Sequence, residues 1–127
     1  MWFHVDPSNG VPIYVQLIEQ VKKATASGLL NSGEQMPSVR ELAVELTINP
    51  NTVAKAYQEL ERERIIETHR GRGTFVSLKS TRQGPEQRVK SLRESVQKLM
   101  IAAHHLQSDK KEITKIFNEE LEKWFKK

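Results

Sequence analysis

Two helix-start signals stand eleven positions apart, leaving room between them for one short helix and a connection of about three residues. The first is Met36-Pro37-Ser38-Val39-Arg40-Glu41-Leu42. Ser38 can cap a helix, and Glu41, three residues on, can reach back to the Ser38 amide, which makes a capping box. Val39, Leu42, Ala43 and Leu46 then form one apolar stripe, which stops at Thr47-Ile48. Asn49 caps the next helix, with Pro50 at its first position and Val53, Tyr57 and Leu60 as its buried stripe. Two helices joined by residues 47–49 have the spacing of a helix-turn-helix, whose second helix enters the major groove N-terminus first.

What flanks this pair completes a domain. Asp6-Pro7-Ser8-Asn9-Gly10 is a turn cluster, and Pro12 stands where a first helical position tolerates it. Tyr14, Leu17, Ile18 and Val21 recur at helical spacing, with Gln16, Glu19, Gln20, Lys22 and Lys23 between them. Gly28 or the Asn31-Ser32-Gly33 cluster ends that helix. After the third helix, residues 65–69 and 74–78 are two β-prone runs around Arg70-Gly71-Arg72-Gly73, a hairpin with a basic tip.

The pattern changes after Pro85. Val89, Leu92, Val96, Leu99, Ala103 and Leu106 step by three and four, a seam of coiled-coil type. Ser108-Asp109 marks a turn and a new cap, and Ile113, Ile116, Phe117, Leu121, Trp124 and Phe125 give a second helix a wider apolar face. Two such helices predict an antiparallel hairpin burying one face within itself. A second copy covers what stays open, as a four-helix bundle about a twofold axis. The expected organisation is residues 1–79 as a DNA-binding domain, 80–86 as a linker and 87–127 as a dimerisation hairpin. The fold class is mainly α with a small β-hairpin.

Composition narrows the function. Of 127 residues 37% are hydrophobic and 28% charged, as in a folded water-soluble chain. No apolar run approaches the roughly 18 residues of a membrane span, and the opening Met1-Trp2-Phe3-His4 lacks the pattern of an export signal. A cytoplasmic protein without a membrane partner is expected. The chain has no cysteine, which removes thiolate nucleophiles and Cys-based zinc sites. Net charge is a weak guide to a nucleic-acid partner: residues 1–80 hold nine Lys/Arg and nine Asp/Glu, so the whole +4 excess sits in the tail. The placement of single cations has to carry that inference.

Asn49, Asn51, Thr52 and Lys55 cluster where the third helix begins, off its buried stripe. Amides such as Asn51 can pair with adenine edges, Thr52 offers a hydroxyl and a methyl, and a helix N-terminus favours phosphate. Arg40 falls in the first turn of the second helix, and Arg70 and Arg72 flank Gly71 at the hairpin tip, a shape that fits a narrow minor groove.

These residues resemble a known family. Pro37-Ser38-Val39-Arg40-Glu41-Leu42-Ala43, Ile48-Asn49-Pro50-Asn51-Thr52-Val53, Ala56-Tyr57 with Glu59-Leu60-Glu61, and Gly71-Arg72-Gly73-Thr74-Phe75-Val76 are similar to the winged-helix domain of GntR-type regulators. The opening Asp6-Pro7 through Pro12-Ile13-Tyr14 and the two short C-terminal helices resemble its YtrA subfamily. The resemblance covers about residues 3–78 by motif and the tail by length and character. It implies a transcription regulator, a repressor of a neighbouring transporter operon. By it, Arg40, residues 49–52 and the Arg70-Gly71 tip are expected contacts to double-stranded operator DNA. The expected set is therefore Ser38, Arg40, Asn49, Pro50, Asn51, Thr52, Lys55, Arg70, Gly71 and Arg72 for DNA. For the homodimer it is Val89, Leu92, Val96, Leu99, Leu106, Ile116, Phe117, Leu121 and Trp124. The family often has Gly just before the wing and between the second and third helices, where Arg64 and Thr47 stand here.

Other readings of the same residues are blander. Asn51, Thr52 and Lys55 alone would read as a solvated helix face, and Arg70 and Arg72 as a polar turn. A protein-docking winged helix would instead expose apolar residues on the third helix. His104 and His105 point about 100° apart and cannot share an ion, and His105 with Asp109 reads as an exposed polar face rather than a metal pair. Trp124 and Phe125 read as bundle core or interface before ligand pocket. With no phosphate loop and no converging His and carboxylates, neither an enzyme nor a cofactor is expected. A small-molecule effector stays open, because the sequence names neither ligand nor site.

Overall fold

The computed structural model describes residues 3–78 and 84–126. The chain divides into two units, Met1–Thr81 and Arg82–Lys127.

The first unit is three helices and a small sheet. Helix α1 (Ile13–Ser27) follows Pro12 and stops at Gly28, whose φ of 86° is the left-handed conformation that closes a helix cheaply only in glycine. Helix α2 (Val39–Leu46) opens on the expected capping box: the Glu41 amide donates to Ser38 Oγ and the Ser38 amide to Glu41 Oε1, both at 3.0 Å. Helix α3 (Pro50–Arg62) is capped by Asn49, whose side chain accepts from the Asn51 amide at 2.8 Å. Leu17, Val21, Leu42, Val53, Leu60 and Ile66 are the large side chains wholly removed from solvent, so the three apolar stripes meet in one core.

The expected hairpin forms, and the sheet adds a third strand to it. Strand β1 (Gln35–Met36) adds to β2 (Ile66–His69) and β3 (Gly73–Val76), all antiparallel in the order β1-β3-β2. Two residues carry no alternation to read, which is why β1 escapes sequence reasoning. Gln16 also departs from expectation. It lies 7% exposed rather than on the polar face, its amide donating to the Asp6 and Val11 carbonyls and accepting from the Asp6 amide. A buried amide so satisfied ties the turn cluster to α1.

Thr47 at φ 56° and Arg64 at φ 61° both adopt left-handed backbone, the conformation that glycine, implied there by the family resemblance, takes most easily. Each closes its helix in a Schellman arrangement, with Ile48 N–H bonding the Ala43 carbonyl and Ile65 N–H the Leu60 carbonyl.

The second unit holds α4 (Pro85–His105) and α5 (Lys110–Trp124). Residues 80–83 of the expected linker lie outside the described residues. Gly84 caps α4 and Pro85 begins it, so residues 85 and 86 are helical rather than linker; proline's fixed φ suits a first helical position. Asp109 caps α5 by accepting from the Glu112 amide at 2.8 Å. The expectation that these helices bury one face against each other is not met along their length. Among the described residues α5 has no buried side chain and α4 only Ala103. Leu92 is 66% exposed and Leu106 79%.

Candidate nucleic-acid interface

The first unit has equal numbers of acids and bases, but the fold does not pair them evenly. Lys22 bridges Glu63 at 2.6 Å, and Arg62 pairs with Glu59, so these two cations near the C-terminal end of α3 are compensated, while Arg64 just beyond it is exposed and makes no ion pair among the described residues. Arg40, Arg70 and Arg72 are exposed and make no ion pair among the described residues. The uncompensated positive charge of this unit therefore includes the first turn of α2 and the wing tip.

The helix-turn-helix forms as its capping signals require. Ser38 and Asn49 spend side-chain acceptors on their own helices, which orders the first turns that carry Arg40 and Asn51. The hydrogen bond from the Ser38 amide, with the Ser38 hydroxyl adding to it, holds the Glu41 carboxyl below its ordinary range. Pro50 is exposed at the first position of α3, Asn51 is exposed and Thr52 half-buried beside it.

Lys55 is placed differently from its neighbours. Its ammonium sits 4.0 Å over the ring of Tyr14 on α1, a cation–π contact within the protein. Gln58, not among the expected residues, lies exposed on the stripe of Asn51 and Lys55. Its signal was available, since positions seven apart share a helix face.

The wing turn closes through the Arg72 amide donating to the His69 carbonyl at 2.8 Å. Gly71 has a φ of 78°, and nothing lies within 4 Å of where a β-carbon would stand. The tip therefore needs glycine for its backbone and presents open space to a partner. His69 pairs with Glu67 at 3.0 Å, and its ring meets Phe75 edge-on. Strand β1 links the two cationic places. Gln35 pairs with Phe75 and donates to the Arg72 carbonyl at 3.4 Å, and three residues further along the chain Ser38 caps α2.

No group of three or more His, Asp or Glu able to hold a metal occurs among the described residues. No helix of the described residues is long and apolar enough to cross a membrane.

Comparison with known proteins identifies the family and the fold. The model for "Bacterial regulatory proteins, gntR family" matches residues 13–76, from the start of α1 to the end of β3. The HTH-type transcriptional repressor YtrA of Bacillus subtilis is 46% identical over 101 residues, 80% of this chain and 78% of that protein. A Listeria monocytogenes protein described as a transcriptional antiterminator superposes with a TM-score of 0.81 at 31% identity, covering 100% of this chain and 95% of its own. YtrA from Sulfolobus acidocaldarius, a GntR-family transcription factor, gives 0.60 at 29% identity, covering 95% and 97%. The sheet, the capped helix pair and the wing are thus those of a transcription regulator rather than an enzyme, and the chain belongs to the gntR family of bacterial regulatory proteins.

Proposed function

We propose that the chain is a dimeric repressor of a neighbouring transporter operon, each protomer covering half of a palindromic operator. The observation that carries the DNA reading is the charge arrangement. Lys22 and Arg62 are neutralised within the protein, whereas Arg40 in the first turn of α2 and Arg70 and Arg72 at the wing tip are exposed and make no ion pair among the described residues, as is also true of Arg64 just past α3. Arg40 and the α2 N-terminus take backbone phosphates. Pro50, Asn51 and Thr52 open the helix that enters the major groove, with Gln58 two turns further along. Arg70, Gly71 and Arg72 enter the adjoining minor groove.

The dimer reading rests on the second unit. Val89, Leu92, Leu99, Leu106, Ile116, Phe117, Leu121 and Trp124 are all exposed in the single chain, and Val96 is half-buried. Apolar faces of this extent are covered most simply by a second copy. Half-sites then lie about one helical turn, roughly 34 Å, apart. Repression is supported by the likeness to a protein named a transcriptional repressor, the transporter target is what the subfamily resemblance implies, and an operator partner fits a cytoplasmic protein.

The test is selection of bound sites from random DNA, read beside the gene's own promoter, followed by affinity against salt. Arg40→Ala and Arg70→Ala should each weaken binding to all sequences and reduce the salt slope by about one unit. No shift at low ionic strength with the wild-type chain would remove the operator reading altogether.

A further inference from the structure

Residues 35–41 form a junction where wing, second helix and recognition helix meet. Gln35 and Met36 pair with wing strand β3, and Ser38 and Glu41 close the cap of α2. From α3, the Tyr57 hydroxyl donates to the Pro37 carbonyl at 2.7 Å across twenty positions of chain. The amide between Pro37 and Ser38 is thereby held at both ends. Its oxygen accepts from Tyr57, and its N–H donates to Glu41 Oε1 at 3.0 Å. Bonds at the two ends of one amide polarise each other, and a plane fixed at both ends sets the direction in which the following helix leaves.

Arg40 lies two residues beyond that amide, in the first turn of α2. The Tyr57 ring is 6% exposed and fixed in the core, so the hydroxyl is anchored to the recognition helix rather than free to swing. Burial, with the Glu41 carboxylate adding to it, pushes the hydroxyl far above its ordinary range, so it stays protonated and remains a donor.

We propose that Tyr57 is a positioning residue for DNA recognition, its hydroxyl setting Arg40 against the operator backbone through the amide between Pro37 and Ser38. This rests on the operator reading above. The ring serves the core and the hydroxyl serves the register between α2 and α3, so Tyr57→Phe separates the two.

The experiment is a double-mutant cycle of Tyr57→Phe and Arg40→Ala in the full chain, titrated against the DNA selected by the wild type over a range of salt. Tyr57→Phe alone should weaken binding about five- to tenfold, the scale of one lost hydrogen bond, and flatten the salt slope toward that of Arg40→Ala. With Arg40 already alanine, removing the hydroxyl should change affinity by less than about twofold. Additive losses, a wild-type slope in Tyr57→Phe, or no effect of Arg40→Ala would each overturn the proposal. A purely structural defect lowers the folded fraction and moves neither slope nor cycle, and thermal melts followed by circular dichroism measure that fraction. Should Tyr57→Phe not fold, Glu41→Ala frees the other end of the same amide, and its additivity with Arg40→Ala is equally fatal. Absence of salt-dependent binding in the wild type sinks the operator reading. Wild-type binding with a flattened Arg40→Ala slope and an unaltered Tyr57→Phe slope sinks this inference alone.

Discussion

Thr47 and Arg64 hold backbone conformations that cost an ordinary L-residue about 1–2 kcal/mol, and a β-branched residue such as Thr47 is the more strained. Thr47→Gly and Arg64→Gly should each stabilise the first unit by about 1 kcal/mol. That corresponds to a rise of roughly 4–8 °C in a melt followed by circular dichroism. A fall in melting temperature would show that the side chains contribute more than the strain costs. Both positions were marked by the family resemblance, which implies glycine where Thr47 and Arg64 stand. Gln16 was not legible. Its polarity argues for solvent, and only the folded turn cluster shows that three backbone groups need its amide. At the groove-facing start of α3, Asn51→Ala should relax preference at one base position while leaving the salt slope nearly unchanged, as read by repeating the site selection.

Among the elements, the capped ones were the most readable and the shortest the least. Helices α2 and α3 announce their first residues through Ser38, Glu41, Asn49 and Pro50, and the structure starts them there. Strand β1 has no such mark, yet it joins the wing to the start of α2. Lys55 was readable as an exposed cation but not as a partner of Tyr14, since that contact needs the packing of α1 on α3. The α2 cap has a pH dependence of defined sign. Glu41 titrates below its unfolded value, so its contribution is complete above about pH 4.3 and is lost as pH falls through the depressed value. Melting temperatures of wild type and Glu41→Gln should therefore differ at neutral pH and converge in acid. A gap that persists at pH 2 would place the effect in the shape of the side chain rather than its charge.

At the scale of the whole molecule, net charge misdirects and local compensation informs. The +4 excess lies beyond residue 80, while the cations proposed to meet DNA belong to a neutral unit that leaves them unpaired. The tail's amphipathic pattern was legible, but how little its helices cover each other was not, because periodicity gives a face and never its occupant. Leu99→Lys together with Leu121→Lys should turn the proposed dimer into a monomer in sedimentation velocity. The same change should weaken operator binding by about a hundredfold through loss of the linked second half-site. A dimer that survives both changes would move the interface elsewhere. The open seam of α4 and α5 also bears on how a cell would use the protein. If the proposed dimer forms, then while most chains are still single, doubling their number quadruples the paired form. Occupancy of a palindromic site then climbs more steeply than gene dosage, and modest changes in synthesis or proteolysis are amplified before any ligand acts.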